Sequence, residues 1–171
     1  MISPYAEFHF ETFAVQSQQL LTRLLVLLQQ DPVAFPAHLE AEFFKKLRTR
    51  MNMALVNPEA SEYGLGNTLT KQNYGGKSLG AGYSNWRRIK NGMPDRYRLF
   101  FQFSSKAREL IFAWLNDQRS IRRESHKNDV YAVFAKLLGS DAIPTDYKAL
   151  REKSFPHVSA LAKRQAPDIP G

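Results

Sequence analysis

The sharpest patterning in the chain runs from Asn85 to Asn116, NWRRIKNGMPDRYRLFFQFSSKARELIFAWLN. Successive side chains of a strand point to opposite faces. From Arg96 to Phe103 this sends Tyr97, Leu99, Phe101 and Phe103 to one face, and Arg96, Arg98, Phe100 and Gln102 to the other. The first set suits burial against helices and the second an open side. The same parity groups Trp86, Arg88 and Lys90. The Asn91-Gly92 and Pro94 between the two runs carry turn chemistry. A hairpin pairing Lys90 with Arg96 sets Arg88 opposite Arg98 and gathers four cations on one face. Opposed like charges repel, so such a patch calls for an anion; a solvated basic sheet face is the alternative. Leu110 to Leu115 is apolar throughout, as in a strand central in its sheet or covered on both faces.

Helical spacing dominates the first third. Residues 1–8 read as a leader. His9 to Gln30 reads as a helix with Phe10, Phe13, Leu20, Leu21, Leu24, Leu25 and Leu28 recurring at helical intervals, ended by Asp31-Pro32. A second helix is predicted from Ala37 to Val56, with Leu39, Phe43, Phe44, Leu47, Met51 and Leu55 on its apolar side. The two suggest an antiparallel pair on one face of the sheet, with His9 and His38 as structural members of those helices. Residues 57–85 form a long connection containing GNTL and GGKSLGAG; the latter lacks the GxxxxGK[ST] spacing of a phosphate-binding loop. After the third strand a charged loop carries Arg119, Arg122, Arg123, His126 and Lys127. A helix follows, with Asn128 as cap, Asp129 in its first turn and Gly139 as its stop. Val130, Val133, Phe134, Leu137 and Leu138 supply its buried face, with Tyr131 and Lys136 elsewhere on its surface. A short helix from Asp146 to Lys153 and a proline-containing tail, 154–171, complete the chain.

The organisation predicted is one α+β domain: a helical hairpin over 9–56, a loop over 57–85, a three- to four-stranded antiparallel sheet over 86–116 and C-terminal helices over 128–153. With 43% hydrophobic and 23% charged residues, a folded chain is expected. There is no cysteine, hence no disulfide or thiolate chemistry, which fits a reducing cytoplasm. No signal peptide or membrane-spanning stretch is found; the apolar run Leu20 to Leu28 is broken by Thr22 and Arg23.

The net charge of +8 is unevenly placed. Trp86 to Lys127 holds eleven Lys or Arg against four Asp or Glu, a local excess of seven. Clustered positive charge points to a polyanion, most simply nucleic acid. A membrane surface fits less well, because these cations alternate on strands instead of lining one helix face. No HExxH, paired CxxC or Ser-His-Asp spacing is present, so no metal or cofactor is expected.

The strings NWRRIK, RYRLFFQF, AWLNDQRSIRR and DVYAVFAKLLGSDAIPTDYKALRE, with GNTL and KSLG, resemble the YhaV toxins. These are the toxin half of the PrlF–YhaV toxin–antitoxin pair, within the RelE superfamily of mRNA interferases. The resemblance runs from about His9 to about Ser154. It implies a RelE-like, microbial-RNase-like α+β fold, endonucleolytic cleavage of mRNA, often on translating ribosomes, and a PrlF-like antitoxin as partner. Arg98 matches the arginine of the superfamily's strand motif, and Arg88 and Lys90 the basic pair of the preceding strand. Arg122 and Tyr131 lie where a late arginine and tyrosine are found near the active site.

Metal-free RNA cleavage uses the 2′-hydroxyl as nucleophile and needs a base for its proton, cations for the phosphorane and an acid for the 5′-oxygen. Arg98, Arg88 and Lys90 suit the middle task, since guanidinium grips phosphate through paired hydrogen bonds. Arginine, with a pKa above about 12, is a poor base. Proton transfer therefore falls to Lys90, Tyr131, His126 or groups of the RNA and ribosome. Trp86, Arg87, Arg96, Arg119, Arg123, Lys127 and His126 form the expected RNA-contacting rim. Trp86 and Trp114 share the open parity, where stacking on a base is worth roughly 1–3 kcal/mol; the alternative for both is core packing. A non-catalytic RNA- or ribosome-binding module and a basic protein-docking face are the competing functions.

Overall fold

The computed structural model describes residues 3–65, 85–93, 97–116 and 130–157. The elements are β1 (Ala6–Phe10), α1 (Glu11–Gln30), α2 (Leu39–Val56), β2 (Arg87–Ile89), β3 (Leu99–Ser104), β4 (Glu109–Leu115), α3 (Val130–Gly139), α4 (Tyr147–Glu152) and β5 (Ser154–His157). They build a five-stranded sheet in the order β2-β3-β4-β1-β5. β1 runs parallel to β4, and the other neighbours are antiparallel. The α+β class and the strand β2–β3–β4 meander agree with the sequence pattern, and apolar β4 is indeed the central strand.

Strands β1 and β5 depart from expectation. Residues 6–10 are a strand and not leader and helix, and helix α1 begins only at Glu11. AEFHF has strand alternation, but its polar positions point inward. Glu7 and His9 are buried on the α1–α2 side, held by each other and by Arg48. Burial alone would raise the Glu7 pKa; hydrogen bonds from His9 and Arg48, with the Arg48 charge, hold it below the usual carboxylate range. His9 is therefore a strand residue, and His38 caps α2, its Nδ1 accepting from the Glu40 amide at 3.1 Å. The start of the supposed tail is strand β5, paired to β1; Pro156 is tolerated there because β5 is an edge.

The β2–β3 register is shifted by two residues from the predicted one. Ile89 pairs with Leu99, Arg88 with Phe100 and Arg87 with Phe101. This alignment puts the apolar Ile89 against Leu99 and lengthens the connection. A shift of two preserves parity, so Arg88 and Arg98 still share a face although they are not opposed. Gly92 in that connection has φ 77°, a left-handed conformation that glycine adopts without strain.

Helices cover the sheet on both sides. On one, Phe13, Leu20 and Leu24 of α1 and Leu47, Met51 and Leu55 of α2 pack with Ile89, Leu99, Phe101, Leu110 and Phe112. On the other, α3 and α4 pack on Phe8, Phe10, Phe100, Ile111 and Trp114. The expected open platform is thus overturned. Phe100 is fully buried, its ring stacked on Phe134 at 3.9 Å, with Trp114 stacked on both. Tyr131 is buried in this layer and not on the helix surface. Gln102, of the same parity, is buried too and donates to the Thr145 carbonyl at 2.8 Å, tying β3 to the α4 entry. Pairing passes from Phe100–Trp114 to Phe101–Phe112, so Ala113 is the extra residue of a β-bulge. The bulge lets Ala113 and Trp114 both face α3.

Candidate nucleic-acid interface

Three of the five residues expected to act on RNA come together at one end of α3. Arg98 immediately precedes β3, Arg88 is central in β2 and Tyr131 lies in the first turn of α3. Arg98 Nε lies 3.4 Å from the Tyr131 hydroxyl, and its Nη1 donates to the Tyr97 carbonyl at 2.7 Å. The Arg88 guanidinium carbon stands 5.6 Å from the centre of the Tyr131 ring, a cation–π distance. Its Nη1 donates to the Gly64 carbonyl at 2.7 Å. One phenol thus touches two guanidiniums, one over its face and one at its oxygen. Arg88 and Tyr131 are buried, while Arg98 is only half-buried and is the cation of the pair best placed to meet solvent. Among the described residues Arg98 has no carboxylate partner; its side chain bonds a carbonyl and a phenol. Lys90 is exposed and follows directly on β2.

The Arg98 backbone is locked as well. Its amide donates to Asn116 Oδ1 at 2.5 Å, and the Asn116 amide donates back to the Arg98 carbonyl at 3.2 Å. Asn116 is buried and was not among the residues expected at the site. Its signal was a lone polar residue closing the apolar run Leu110 to Leu115.

Two of the expected rim residues are placed otherwise. Trp86 is 1% exposed, with its indole N–H donating to Thr145 Oγ1 at 2.9 Å and its ring edge-on to Phe134 at 5.0 Å. It offers no face to a base, and neither does Trp114, which the same aromatic stack buries. Arg87 points to the opposite side of the sheet, where it donates to the Ala60 and Glu59 carbonyls at 2.6 and 3.2 Å. Burial draws its pKa below the usual arginine value, partly offset by Glu59. It tethers the segment after α2 to β2. Arg96, Arg119, Arg122, Arg123, His126 and Lys127 lie outside the described residues, as do GNTL, KSLG and the Asn128–Asp129 cap.

A sequence model of the YhaV toxins, described as a toxin with endonuclease activity of a toxin–antitoxin system, matches residues 7–154. The chain is 41% identical over 80 residues to Toxin YhaV of Escherichia coli O6:H1, covering 46% of this chain and 51% of that protein. The identity and coverage are the same for Ribonuclease toxin YhaV of Escherichia coli K12. The aligned stretch spans about half the length of these curated relatives. No solved structure matches the chain. With most of its length matched, and with the β2–β3 cations converging on α3, the chain belongs to the YhaV toxin family.

Proposed function

We propose that this chain is the toxin of a toxin–antitoxin pair, an endoribonuclease that cleaves mRNA, with Arg98 gripping the scissile phosphate. The carrying observation is the half-buried Arg98 guanidinium, held by the Tyr131 hydroxyl and the Tyr97 carbonyl and without a carboxylate partner among the described residues. A cation kept in place and not neutralised by a neighbouring acid is the form in which a protein stabilises developing phosphorane charge.

In this reading the RNA 2′-oxygen bonds to phosphorus as its proton leaves to a base. The P–O5′ bond then breaks, the 5′-oxygen takes up a proton, and a 2′,3′-cyclic phosphate remains. Arg98 holds the non-bridging oxygens, and exposed Lys90 adds positive charge beside it. Buried Tyr131 is a positioning residue: its hydroxyl orients Arg98 and its ring seats Arg88. The substrate is mRNA on the ribosome, and a PrlF-like antitoxin is the partner that silences the cytoplasmic toxin. Among the described residues no helix is long and apolar enough to cross a membrane.

The test is induction of the chain without antitoxin, followed by mapping of mRNA 5′ ends. New 5′ ends with wild type and none with Arg98→Ala are expected. Intact mRNA in arrested cells, or unchanged cleavage by Arg98→Ala, would overturn the proposal; the former points to a non-catalytic ribosome-binding module.

A further inference from the structure

The sheet edge away from Arg98 carries a second cluster of polar side chains, on the other face. Glu7 and His9 are two residues apart on β1 and so share a face. The β1–β5 register sets His157 directly opposite Glu7. His9 Nε2 lies 2.6 Å from Glu7 Oε2, and His157 Nε2 lies 4.0 Å from the same oxygen. The imidazoles stack at 4.5 Å and 12°, and the three ligand atoms all lie within 4.8 Å of one another. The Glu7 and His9 side chains are 2% and 6% exposed, whereas that of His157 is 39% exposed. The cluster is thus preorganised on its inner side and accessible on its outer one.

Arg48 completes it. Its Nη2 donates to Glu7 Oε1 at 2.6 Å and its Nη1 to Oε2 at 2.9 Å. Arg48 is itself held by Asn52 Oδ1 at 2.7 and 3.0 Å. Glu7 therefore cannot swing away, and the oxygen it shows the two histidines is fixed by the guanidinium bonds behind it.

We propose that Glu7, His9 and His157 bind a divalent transition-metal ion of the Zn²⁺ class, with Arg48 as the positioning residue for Glu7. Two imidazoles and one carboxylate suit borderline metals, whereas Mg²⁺ and Ca²⁺ take oxygen ligands. Ligand atoms at about 2.0–2.2 Å from a tetrahedral ion are about 3.3 Å apart. The observed 2.6 and 4.0 Å bracket that value, and the two imidazoles, now stacked nearly parallel, must turn for both in-plane lone pairs to meet at the ion, a motion open to the half-exposed His157 ring. The fourth position falls on the exposed side by His157, where water can bind. Arg48 stays on Oε1 in the role that outer-sphere partners play for metal carboxylates. Its charge weakens dication binding relative to a thiolate-rich site. The bound ion would join β5 to β1, strands that lie almost 150 residues apart in the chain. It has no part in the RNA cleavage proposed above, so the two readings stand or fall separately.

The experiment is titration of the purified full chain, free of any histidine tag, with CoCl₂, followed by displacement with ZnCl₂. One equivalent of Co²⁺ with visible d–d bands more intense than those of the aqueous ion is expected, bleached by Zn²⁺. His157→Ala, at the exposed edge, should weaken binding at least tenfold with an unchanged circular dichroism spectrum. As a check on wild type alone, Zn²⁺ should shift the ring ¹⁵N resonances of His9 and His157 and leave those of His38 in place. The absence of intensified bands in wild type, their persistence in a folded His157→Ala chain, or Zn²⁺ shifts confined to other histidines would overturn the proposal.

Discussion

Arg98 and Tyr131 meet where the sheet abuts α3, with the arginine Nε 3.4 Å from the phenol oxygen. The contact couples a half-buried cation to a fully buried ring, so the charge proposed to act on RNA is set from the core. Replacing Arg98 with alanine should leave the fold intact, because its backbone bonds to Asn116 persist. Cleavage should fall by about 10²–10³-fold, the usual cost of removing one transition-state donor. Arg98→Lys should recover only part of it, since an ammonium lacks the paired donor geometry. Primer extension on a defined mRNA measures both.

Tyr131→Phe keeps the ring under Arg88 and deletes only the contact to Arg98. Stability should change by no more than about 1.5 kcal/mol. Cleavage should drop about tenfold through a looser Arg98, a loss far smaller than that of Arg98→Ala. Urea unfolding read beside single-turnover cleavage separates the two effects.

Phe134 joins Phe100, Trp114 and Trp86 in one aromatic cluster. Phe134→Ala should cost about 3–5 kcal/mol, as for a large core truncation. Were this face open to solvent, the same change would cost under about 0.5 kcal/mol. Chemical denaturation distinguishes the two.

Trp86→Phe removes the hydrogen bond to Thr145 but not the aromatic packing. It should lower stability by about 1–2 kcal/mol and leave RNA affinity at fixed salt unchanged. A loss of affinity in a stably folded variant would return Trp86 to a base-stacking role.

Tyr147 donates to Glu109 Oε1 at 3.0 Å; burial first, then Glu109, raises its pKa well above the ordinary value. The folded state therefore keeps this proton where the unfolded chain gives it up. The stability it contributes is full below the unfolded tyrosine value of about 10 and is lost as pH rises through the folded one. Between pH 9 and pH 11 the urea midpoint of wild type should fall more than that of Tyr147→Phe.

The local elements were legible in the chain itself. Period-two alternation marked β3, the apolar run marked β4, and helical spacing, with Asp31-Pro32 as the stop of the first helix, marked α1 and α2. These depend on neighbours a few residues away, and the parity that joins Arg88 to Arg98 survived even a register error. What covers each face was not local. Alternation says that two faces of a strand differ, but Arg98 and Phe100 share one face, and only α3, some thirty residues on, determines that Phe100 and Trp86 are buried while Arg98 keeps its access. The same holds for β1 and β5. In the sequence Glu7 falls in a leader and His9 in a helix; their burial is decided only by Arg48 and His157, which arrive from distant segments, because a buried charge is tolerated only when its partners are present in space.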